Sequence, residues 1–401
     1  MKKIISIIIL TVSIISCTNN NKDKKTGSAE AREIASPASD SCAEPFLFTD
    51  KNGLVHLSWI EKIGKVSKLK FSSLSNDQWT ETTTIASGNN WFVNWADYPV
   101  IAGDGNGNLM AHYLEKSAPG KFTYDVKYKV SSDKGITWSD PKILHDDGKQ
   151  AEHGFVSMVP YGDKYFLSWL DGRKAAAMEG AGHEGHHGEM TIRGAIVSKD
   201  GAKENEWELD SRVCDCCQTS AAITANGPIV VYRDRSADEI RDMSIVRLVN
   251  GKWTEPKIIF PDQWKIAGCP VNGPSADATG NSLAIAWFSM PDKNGQVNLL
   301  FSENGGETFS KPIRIDEGKP IGRVDVLMLN ENSAMVSWME GADIKAVRVN
   351  KNGTKETSMI IASSTESRSG GFPQMTRAGN KLIFAWTDSK EKNIKVAELV
   401  L

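Results

Sequence analysis

The amino-acid sequence predicts an all-β protein, most simply a seven-bladed β-propeller. Seven short apolar runs end in an aromatic residue, and these aromatics are spaced 48 to 63 residues apart: Trp59, Tyr113, Trp169, Tyr232, Trp287, Trp338 and Trp386. An acid stands two residues after six of them, and Ser289 is the exception. Strand-rich repeats of about 50 residues are typical of radial folds in which each repeat forms one blade.

Each repeat is expected to supply four strands. The inner strands are predicted to begin near the following residues: Pro45, Tyr98, Phe155, Thr219, Gly273, Val324 and Phe372. The seventh repeat ends with only three strands, and residues 32–36 are similar to residues 359–363, which precede the last inner strand. The N-terminal segment is therefore predicted to complete blade seven and close the ring. Six blades plus a separate three-stranded sheet is the alternative.

The first 30 residues are predicted to be a targeting and tethering region. Two lysines precede an apolar stretch over residues 4–15, which is too short for a comfortable membrane span. The apolar stretch leads into the tetrapeptide Ile-Ile-Ser-Cys, whose last residue is Cys17. This tetrapeptide resembles the lipobox of bacterial lipoproteins. An ordinary signal peptide with an incidental cysteine is the alternative.

Three segments follow from this interpretation. We predict a lipoprotein signal peptide over residues 1–16, a flexible tether over residues 17–30 and the propeller over residues 31–401. Lipidation of Cys17 would anchor the protein in the bacterial cell envelope, at the outer membrane or cell surface, where disulfides persist. The net charge is −3, and the basic residues are scattered rather than clustered, which argues against a nucleic-acid partner.

Two turns carry a recognisable motif. Residues 131–138 match the Asp box, S-x-D-x-G-x-T-W, in full, and residues 302–309 match it with Asn304 for Asp and Phe309 for Trp. The chain therefore resembles the sialidase (neuraminidase) superfamily of Asp-box or BNR-repeat propellers. The resemblance implies a glycan ligand at the central face. Sialidases also use an arginine triad, a Tyr–Glu nucleophile pair and an Asp acid/base, yet here the early Phe-Arg-Ile-Pro motif is absent and no tyrosine follows Tyr232. Glycoside hydrolase activity is therefore left open.

Function is expected on the face formed by two sets of loops, those from each outer strand to the next inner strand and those from second to third strands. Exposed arginine side chains, aromatic rings and one acid there are predicted to bind a glycan or another anionic ligand: Trp95, Asp97, Arg173, Arg233, Arg235 and Arg323. Trp264 is a further ring that could stack on a sugar. The catalytic candidates are His153, Glu152 and Asp234. A salt-bridge network through Arg233, Asp234 and Arg235 is the structural alternative.

All five cysteines after Cys17 fall on the same set of loops: Cys42, Cys214, Cys216, Cys217 and Cys269. Closely spaced thiolates suit copper or zinc, so these residues are candidate metal ligands. The insertion over residues 175–190 adds His183, His186 and His187 beside Met178 and Met190. Disulfides are the alternative, for example Cys42 with Cys269, although an odd number leaves one thiol unpaired. A redox-active vicinal pair and a solvated, metal-free insertion also remain open.

The sequence thus supports two main interpretations. The first is a lipid-anchored, sialidase-like propeller that recognises or processes a glycan or other anionic ligand. The second is a copper- or zinc-binding surface lipoprotein without hydrolase activity, and a pure interaction scaffold is a third. The asymmetric features all come from blades three to five, where we expect the functional site.

Overall fold

The computed structural model describes residues 30–176 and 189–401. They form seven antiparallel sheets, one for each predicted blade, and the all-β, seven-bladed propeller is confirmed. The signal peptide, Cys17 and nearly all of the tether lie outside the described residues, so their boundaries stay predictions. Within the described ranges, no helix is long and apolar enough to cross a membrane.

The strands are numbered in chain order, and β1 is Arg32–Ile34. Blades one and two comprise β2 (Cys42–Thr49), β3 (Val55–Ile63), β4 (Val66–Ser75), β5 (Gln78–Trp79), β6 (Thr83–Gly88), β7 (Ile101–Gly103), β8 (Leu109–Lys116), β9 (Tyr124–Ser131) and β10 (Lys142–Ile143). Blades three and four comprise β11 (His153–Tyr161), β12 (Lys164–Asp171), β13 (Met190–Ser198), β14 (Lys203–Val213), β15 (Ser220–Thr224), β16 (Gly227–Arg233), β17 (Met243–Val249), β18 (Lys252–Trp253) and β19 (Lys257–Phe260).

The remaining three blades complete the ring. Blades five to seven comprise β20 (Ser275–Thr279), β21 (Ser282–Ser289), β22 (Gln296–Ser302), β23 (Ile313–Arg314), β24 (Pro320–Asn330), β25 (Ser333–Glu340), β26 (Asp343–Asn350), β27 (Met359–Ser363), β28 (Gln374–Ala378), β29 (Lys381–Asp388) and β30 (Asn393–Val400). A short helix α1 (Arg173–Ala176) follows β12, and 3-10 turns occupy Pro291–Lys293 and Arg368–Gly370.

The N-terminal strand closes the ring as predicted. Strand β1 pairs antiparallel with β30, so it is the outer strand of blade seven. The side chain of Arg32 donates to Glu398 at 2.5 Å across this pairing. The strand covers residues 32–34 rather than 32–36, because the chain then turns toward blade one. Strand β1 thereby gives blade seven a fourth strand and joins the two ends of the described chain in one sheet.

The repeating aromatics anchor the blades. Trp59, Trp169, Trp287 and Trp338 are all within 1 % of complete burial. In two blades the acid two residues later accepts the indole N–H, at 2.9 Å for Trp169 with Asp171 and 2.8 Å for Trp338. In blade five, where Ser289 breaks the pattern, Trp287 donates to Asp262 at 2.6 Å instead. At least two of the acids that follow the repeating aromatics therefore have a structural role, because they accept hydrogen bonds from buried indoles.

The Asp-box turn at residues 131–138 is held by its own polar side chains. Asp133 accepts hydrogen bonds from the backbone N–H and the hydroxyl of Thr137, at 2.9 and 2.6 Å. Ser131 accepts from the N–H of Gly135 at 2.9 Å, and the ring of Trp138 packs edge-on against Phe71 of the preceding blade. This hairpin holds neighbouring blades together.

Neighbouring inner strands are linked by hydrogen bonds between side chains of one blade and the backbone of the next. Ser157 accepts from the N–H of Ala221 at 2.8 Å, and Asp325 accepts from Met375 at 2.7 Å. Equivalent bonds join β15 to β20 and β20 to β24. These contacts surround a central cavity of about 260 Å³.

Three inner strands begin with the same irregularity. Glu44, Phe155 and Arg323 have φ angles of 57°, 54° and 54°, and the strand register shifts at each of them. Such bulges kink a strand and redirect its side chains. They occur where the inner strands leave the loop face, so they help to shape the site described next.

Candidate functional site

Four of the five candidate cysteines meet on the loop face. Cys214, Cys216 and Cys217 lie on the connection from β14 to β15, and Cys269 lies on the connection from β19 to β20. Because these loops enter adjacent blades, the propeller places them side by side. The Sγ atom of Cys214 is 3.8 Å from that of Cys216 and 3.6 Å from that of Cys217. The Sγ atom of Cys269 lies within 4.8 Å of that of Cys216. We call these four residues the cysteine centre.

Backbone and amide contacts fix this loop in place. The N–H of Cys214 donates to the carbonyl of Arg233 at 3.0 Å. The amide of Gln218 donates to the carbonyl of Ala96 and accepts from the N–H of Gly273 at 3.0 Å. A Cβ atom at position 273 would lie 2.2 Å from the carbonyl oxygen of Gln218, so only glycine allows this close approach. Gln218 thereby joins the loops of three blades around the cysteine centre.

Two buried arginines supply positive charge to the thiols. Arg241 donates to the Sγ atom of Cys214 at 3.1 Å and also contacts Glu239 at 2.8 Å and Asp215 at 3.6 Å. Only 3 % of the surface of Arg241 is exposed. The positive charge of Arg233 lowers the pKa of the Cys217 thiol. Guanidinium groups favour the thiolate form of a nearby cysteine, which is the form that binds metals.

The four thiols differ in acidity. Burial raises the pKa of Cys214 to about 11. Hydrogen bonds with the other three thiols raise the pKa of Cys216. Burial also opposes ionisation of Cys217, but bonds from Cys214 and Cys216 and the charge of Arg233 lower its pKa well below the ordinary value. The bond with Cys216 lowers the pKa of Cys269. The centre therefore combines thiolate-like sulfurs with thiols that donate to them.

The sulfur spacing suits a metal ion. Two sulfurs bound to a tetrahedral zinc ion at about 2.3 Å lie roughly 3.8 Å apart, close to the separations found from Cys214. A second group forms at the edge of the centre, where ligand atoms of Asp215, Cys216 and Cys269 all lie within 4.8 Å of one another. The arrangement can hold copper or zinc through two or more sulfurs.

Cys42 is separate from the centre, which corrects the five-cysteine grouping. It packs in the apolar cluster between blades one and seven, and its Sγ atom lies 3.9 Å from the hydroxyl of Ser39 and 3.7 Å from the carbonyl of Asp40. Blade one lies across the ring from blades four and five. All five cysteines of the described ranges are free thiols, so the suggested Cys42–Cys269 disulfide does not form.

Two of the predicted ligand arginines are buried and already bonded, so the expectation of exposed side chains is corrected for them. Arg233 donates at 2.7 Å to each of the carbonyls of Asn272, Phe288 and Arg241, and its guanidinium lies 4.8 Å from the ring centre of Trp264. Arg323 in turn donates to three carbonyls at residues 366–371. The two guanidinium groups donate hydrogen bonds to loop carbonyls that would otherwise be buried without a donor.

Trp95 is likewise enclosed rather than open to a sugar ring. It stacks on Phe372 at 5.5 Å between ring centres, with Arg323 at 5.2 Å and Arg368 at 5.9 Å from its own ring centre. The adjoining Ala96 is bonded to Gln218 of blade four. The loop at Trp95 therefore extends from blade two to blades four and seven, and its residues Ala96 and Asp97 line the central cavity.

The remaining arginines and Asp234 form ion pairs and hydrogen bonds, as the structural alternative supposed. Arg173 donates to Asp171 at 2.7 Å and pairs with Glu206 at 3.1 Å, and Arg235 pairs with Glu239 at 2.8 Å. Asp234 accepts from the hydroxyl of Ser244 at 3.1 Å, and burial raises its pKa. These side chains are half-buried and are linked into the loops from which they arise.

Glu44 lies near Asp97 in a group of three carboxyls, two of which contact Tyr124. The hydroxyl of Tyr124 donates to Asp97 at 3.2 Å and to Glu152 at 3.0 Å. Burial raises the pKa of Asp97 to about 7 and that of Glu152 to about 8, and it raises the pKa of Glu44 to about 8. The charges of Asp215 and Cys269 also act on Glu152, so this acid borders the cysteine centre. Glu152 is partly exposed, and its raised pKa keeps it uncharged near neutral pH.

His153 belongs to a buried network between blades two and three. Its ring stacks on His145 with 3.5 Å between ring centres, and both rings contact Asp147, at 3.1 and 2.9 Å. Asp171 lies 3.7 Å from His153, whose side chain is fully buried. Packing and ion pairing account for these contacts.

The comparisons with known proteins agree with this architecture. The BNR repeat-like domain model matches residues 65–381, well over half of the chain. The chain belongs to the BNR repeat-like domain family. No curated protein sequence matches it.

Several solved structures resemble the fold of this BNR propeller while sharing little of its sequence. The polysaccharide lyase Uly1 is 8 % identical, with 95 % of this chain and 94 % of that chain covered at a TM-score of 0.55. A Hadza microbial sialidase is 12 % identical over 75 % of this chain and 66 % of its own, with a TM-score of 0.45. The NanB sialidase of Streptococcus pneumoniae is 13 % identical over 93 % of this chain and 71 % of its own, with a TM-score of 0.47.

Sequence reasoning missed several residues of this BNR propeller. Arg241, Gln218 and Tyr124 shape the loop face, but the sequence did not single them out as site residues, because they contact residues that lie far away in the chain. A buried arginine next to a cysteine cluster has no local pattern. His183, His186, His187 and Met178 lie outside the described residues, whereas Met190 is a buried residue of β13.

Proposed function

We propose that this BNR propeller binds a soft metal ion, Cu(I) or Zn(II), at its cysteine centre. The observation that carries the proposal is the convergence of four free sulfurs on adjacent loops, with Arg241 bonded to one of them at 3.1 Å. Ordinary structural cysteines are inert and surrounded by apolar groups. Here the guanidinium groups of Arg241 and Arg233 stabilise negative charge on Cys214 and Cys217, and thiolates are the ligands that copper and zinc select.

Charge balance supports a bound ion. Several thiolates placed together would repel one another, and two guanidinium groups offset only part of that charge. A metal ion supplies the remaining positive charge and releases the thiol protons as it binds. The same four sulfurs without an ion would have to remain mostly protonated.

The test is metal analysis with thiol counting on protein purified anaerobically under reducing conditions. The native chain should carry near-stoichiometric copper or zinc, and Cys216→Ser combined with Cys217→Ser should remove it. Cys42→Ser is the matched control and should keep the ion, because this thiol lies in another blade. Metal retained by the double variant, or a native chain that binds no ion with its thiols in disulfides, would overturn the proposal.

The location of the protein is part of this proposal. The lipobox-like sequence supports lipidation of Cys17 and a position outside the cytoplasm. Cys17→Ser should release the protein from membrane fractions, which fractionation and immunoblotting would measure. Continued membrane association of this variant would contradict lipid anchoring.

A second candidate function is recognition or processing of a glycan or another anionic ligand on the same face. Glu152 favours it, because a partly exposed carboxyl with a pKa near 8 can donate a proton at neutral pH. The ligand arginines argue against it, since Arg233 and Arg323 are fully engaged. Turnover of anionic polysaccharides by the native protein, lost in Glu152→Gln, would support this function. Absence of both binding and turnover on a glycan array would reject it.

A further inference from the structure

Two ligand groups in the cysteine centre share one residue. The inner group consists of Cys214, Cys216 and Cys217, and the outer group consists of Asp215, Cys216 and Cys269. The Sγ atom of Cys216 lies within 4.8 Å of the Sγ atoms of all three other thiols. A sulfur that belongs to two groups at once is placed to bridge two ions rather than to complete one site.

The two groups differ in chemistry. Cys214 and Cys217 are 1 % and 2 % exposed, and Arg241 and Arg233 act on them, so the inner group is an all-sulfur, buried site. The outer group is at the solvent edge because Cys269 is exposed, and it includes the carboxylate of Asp215. A mixed set of thiolates and a carboxylate suits zinc better than Cu(I), which prefers sulfur alone.

Electrostatics supports filling of both sites. The inner thiolates lie against two guanidinium groups, whereas the outer group borders the carboxyl of Glu152, on which the charges of Asp215 and Cys269 act. The outer group contains the carboxylate of Asp215, which lies 3.6 Å from Arg241 and is a hard oxygen ligand for a second cation.

We propose that the cysteine centre holds two metal ions, an inner ion bound by Cys214, Cys216 and Cys217 and an outer zinc ion bound by Asp215, Cys216 and Cys269, with the thiolate of Cys216 as the bridge. This inference rests on the proposed metal-binding function. The outer ion is the more exchangeable of the two, because its ligands reach solvent.

The experiment is a zinc titration of the reduced, full-length protein, with the bound zinc counted per chain. The native protein should bind two ions. Cys269→Ser should bind one, and Asp215→Asn should weaken the second binding step by roughly 10-fold or more while leaving the first unchanged. Cys216→Ser should impair both steps, since it removes the bridge.

The histidines of the insertion are candidate zinc ligands from the sequence, so a control is needed. A chain that lacks residues 177–188 should still bind two ions. A native chain that binds two ions and keeps both after Cys269→Ser would place the second ion elsewhere and overturn the two-ion proposal. A native chain that binds a single ion, unaffected by Cys269→Ser, would also overturn it but leave metal binding intact. Binding of no ion would reject the proposed function itself.

Discussion

Cys42 and Cys214 occupy comparable places in the repeat but very different surroundings. Each is a buried free thiol near the point where an outer-strand connection leads into the next inner strand. Burial raises the pKa of Cys42, and its neighbours are Ser39, Glu61 and Lys70. Cys214 instead has two further thiols within 3.8 Å and a guanidinium at 3.1 Å.

The difference shows that position in the repeat does not decide function. Blade one has no adjacent cysteine-bearing loop, so its thiol is an apolar packing group. Blades four and five are neighbours, so their loops bring four sulfurs to one place. Convergence of thiols and charge distinguishes the candidate site, and the following variants test whether that distinction is real.

The largest expected effect comes from the arginine that supports the cysteine centre. Arg233→Ala should lower the free energy of unfolding by about 3 kcal/mol or more, because three carbonyls lose their buried donor. Arg235→Ala is the matched control, since its pair with Glu239 is partly solvated and contributes about 0–1 kcal/mol. Chemical denaturation measures both. Equal, small effects would show that Arg233 does not support the loops.

An intermediate effect is expected where charge meets sulfur. Arg241→Met should weaken metal binding by roughly 10- to 100-fold, as is usual when a group that supports a metal ligand is lost, and Arg241→Lys should restore part of it. Competition with a chromogenic chelator measures the affinity. Lys70→Met removes the positive charge beside Cys42 and should leave the affinity unchanged. An effect of Lys70→Met as large as that of Arg241→Met would remove the contrast between the two regions.

The smallest effect concerns pH and the acid two residues after Cys42. Burial raises the pKa of Glu44 to about 8, so the folded protein holds a proton that the unfolded chain has lost, and stability should fall as the pH rises from about 4.5 through 8. Glu44→Gln should remove the part of this fall that Glu44 contributes, because an amide does not titrate. Denaturation at pH 5 and pH 8.5 measures it, with the exposed Glu81→Gln as control. An unchanged pH dependence in Glu44→Gln would contradict the assigned burial.

The sequence could predict the fold because its signals repeat. Aromatics such as Trp169 and Trp338 recur once in each blade since every sheet must bury the same face, and the closing strand at residues 32–34 was visible as a missing piece of blade seven. The site could be placed only on a face and in blades three to five. Cys214, Cys216, Cys217 and Cys269 meet there.

The rest depended on contacts that no local pattern encodes. An arginine on a loop can be exposed to solvent or can donate to buried carbonyls. Arg233 is buried because it donates to the carbonyls of Asn272 and Phe288, which lie 39 and 55 residues away in the chain. The bulges at Glu44 and Arg323 place non-glycine residues at positive φ, which the sequence gives no reason to expect. Sequence spacing also could not separate Cys42 from the other thiols, because that separation depends on where each blade sits in the ring.

The most direct test of the metal centre is the X-ray absorption spectrum of the ion that co-purifies with the reduced protein. The account predicts a first shell dominated by sulfur, at about 2.3 Å for zinc, in the native protein and in Cys42→Ser alike. The same shell should be lost in Cys216→Ser combined with Cys217→Ser. A first shell of only nitrogen and oxygen in the native protein would contradict the claim that the cysteine centre binds the metal.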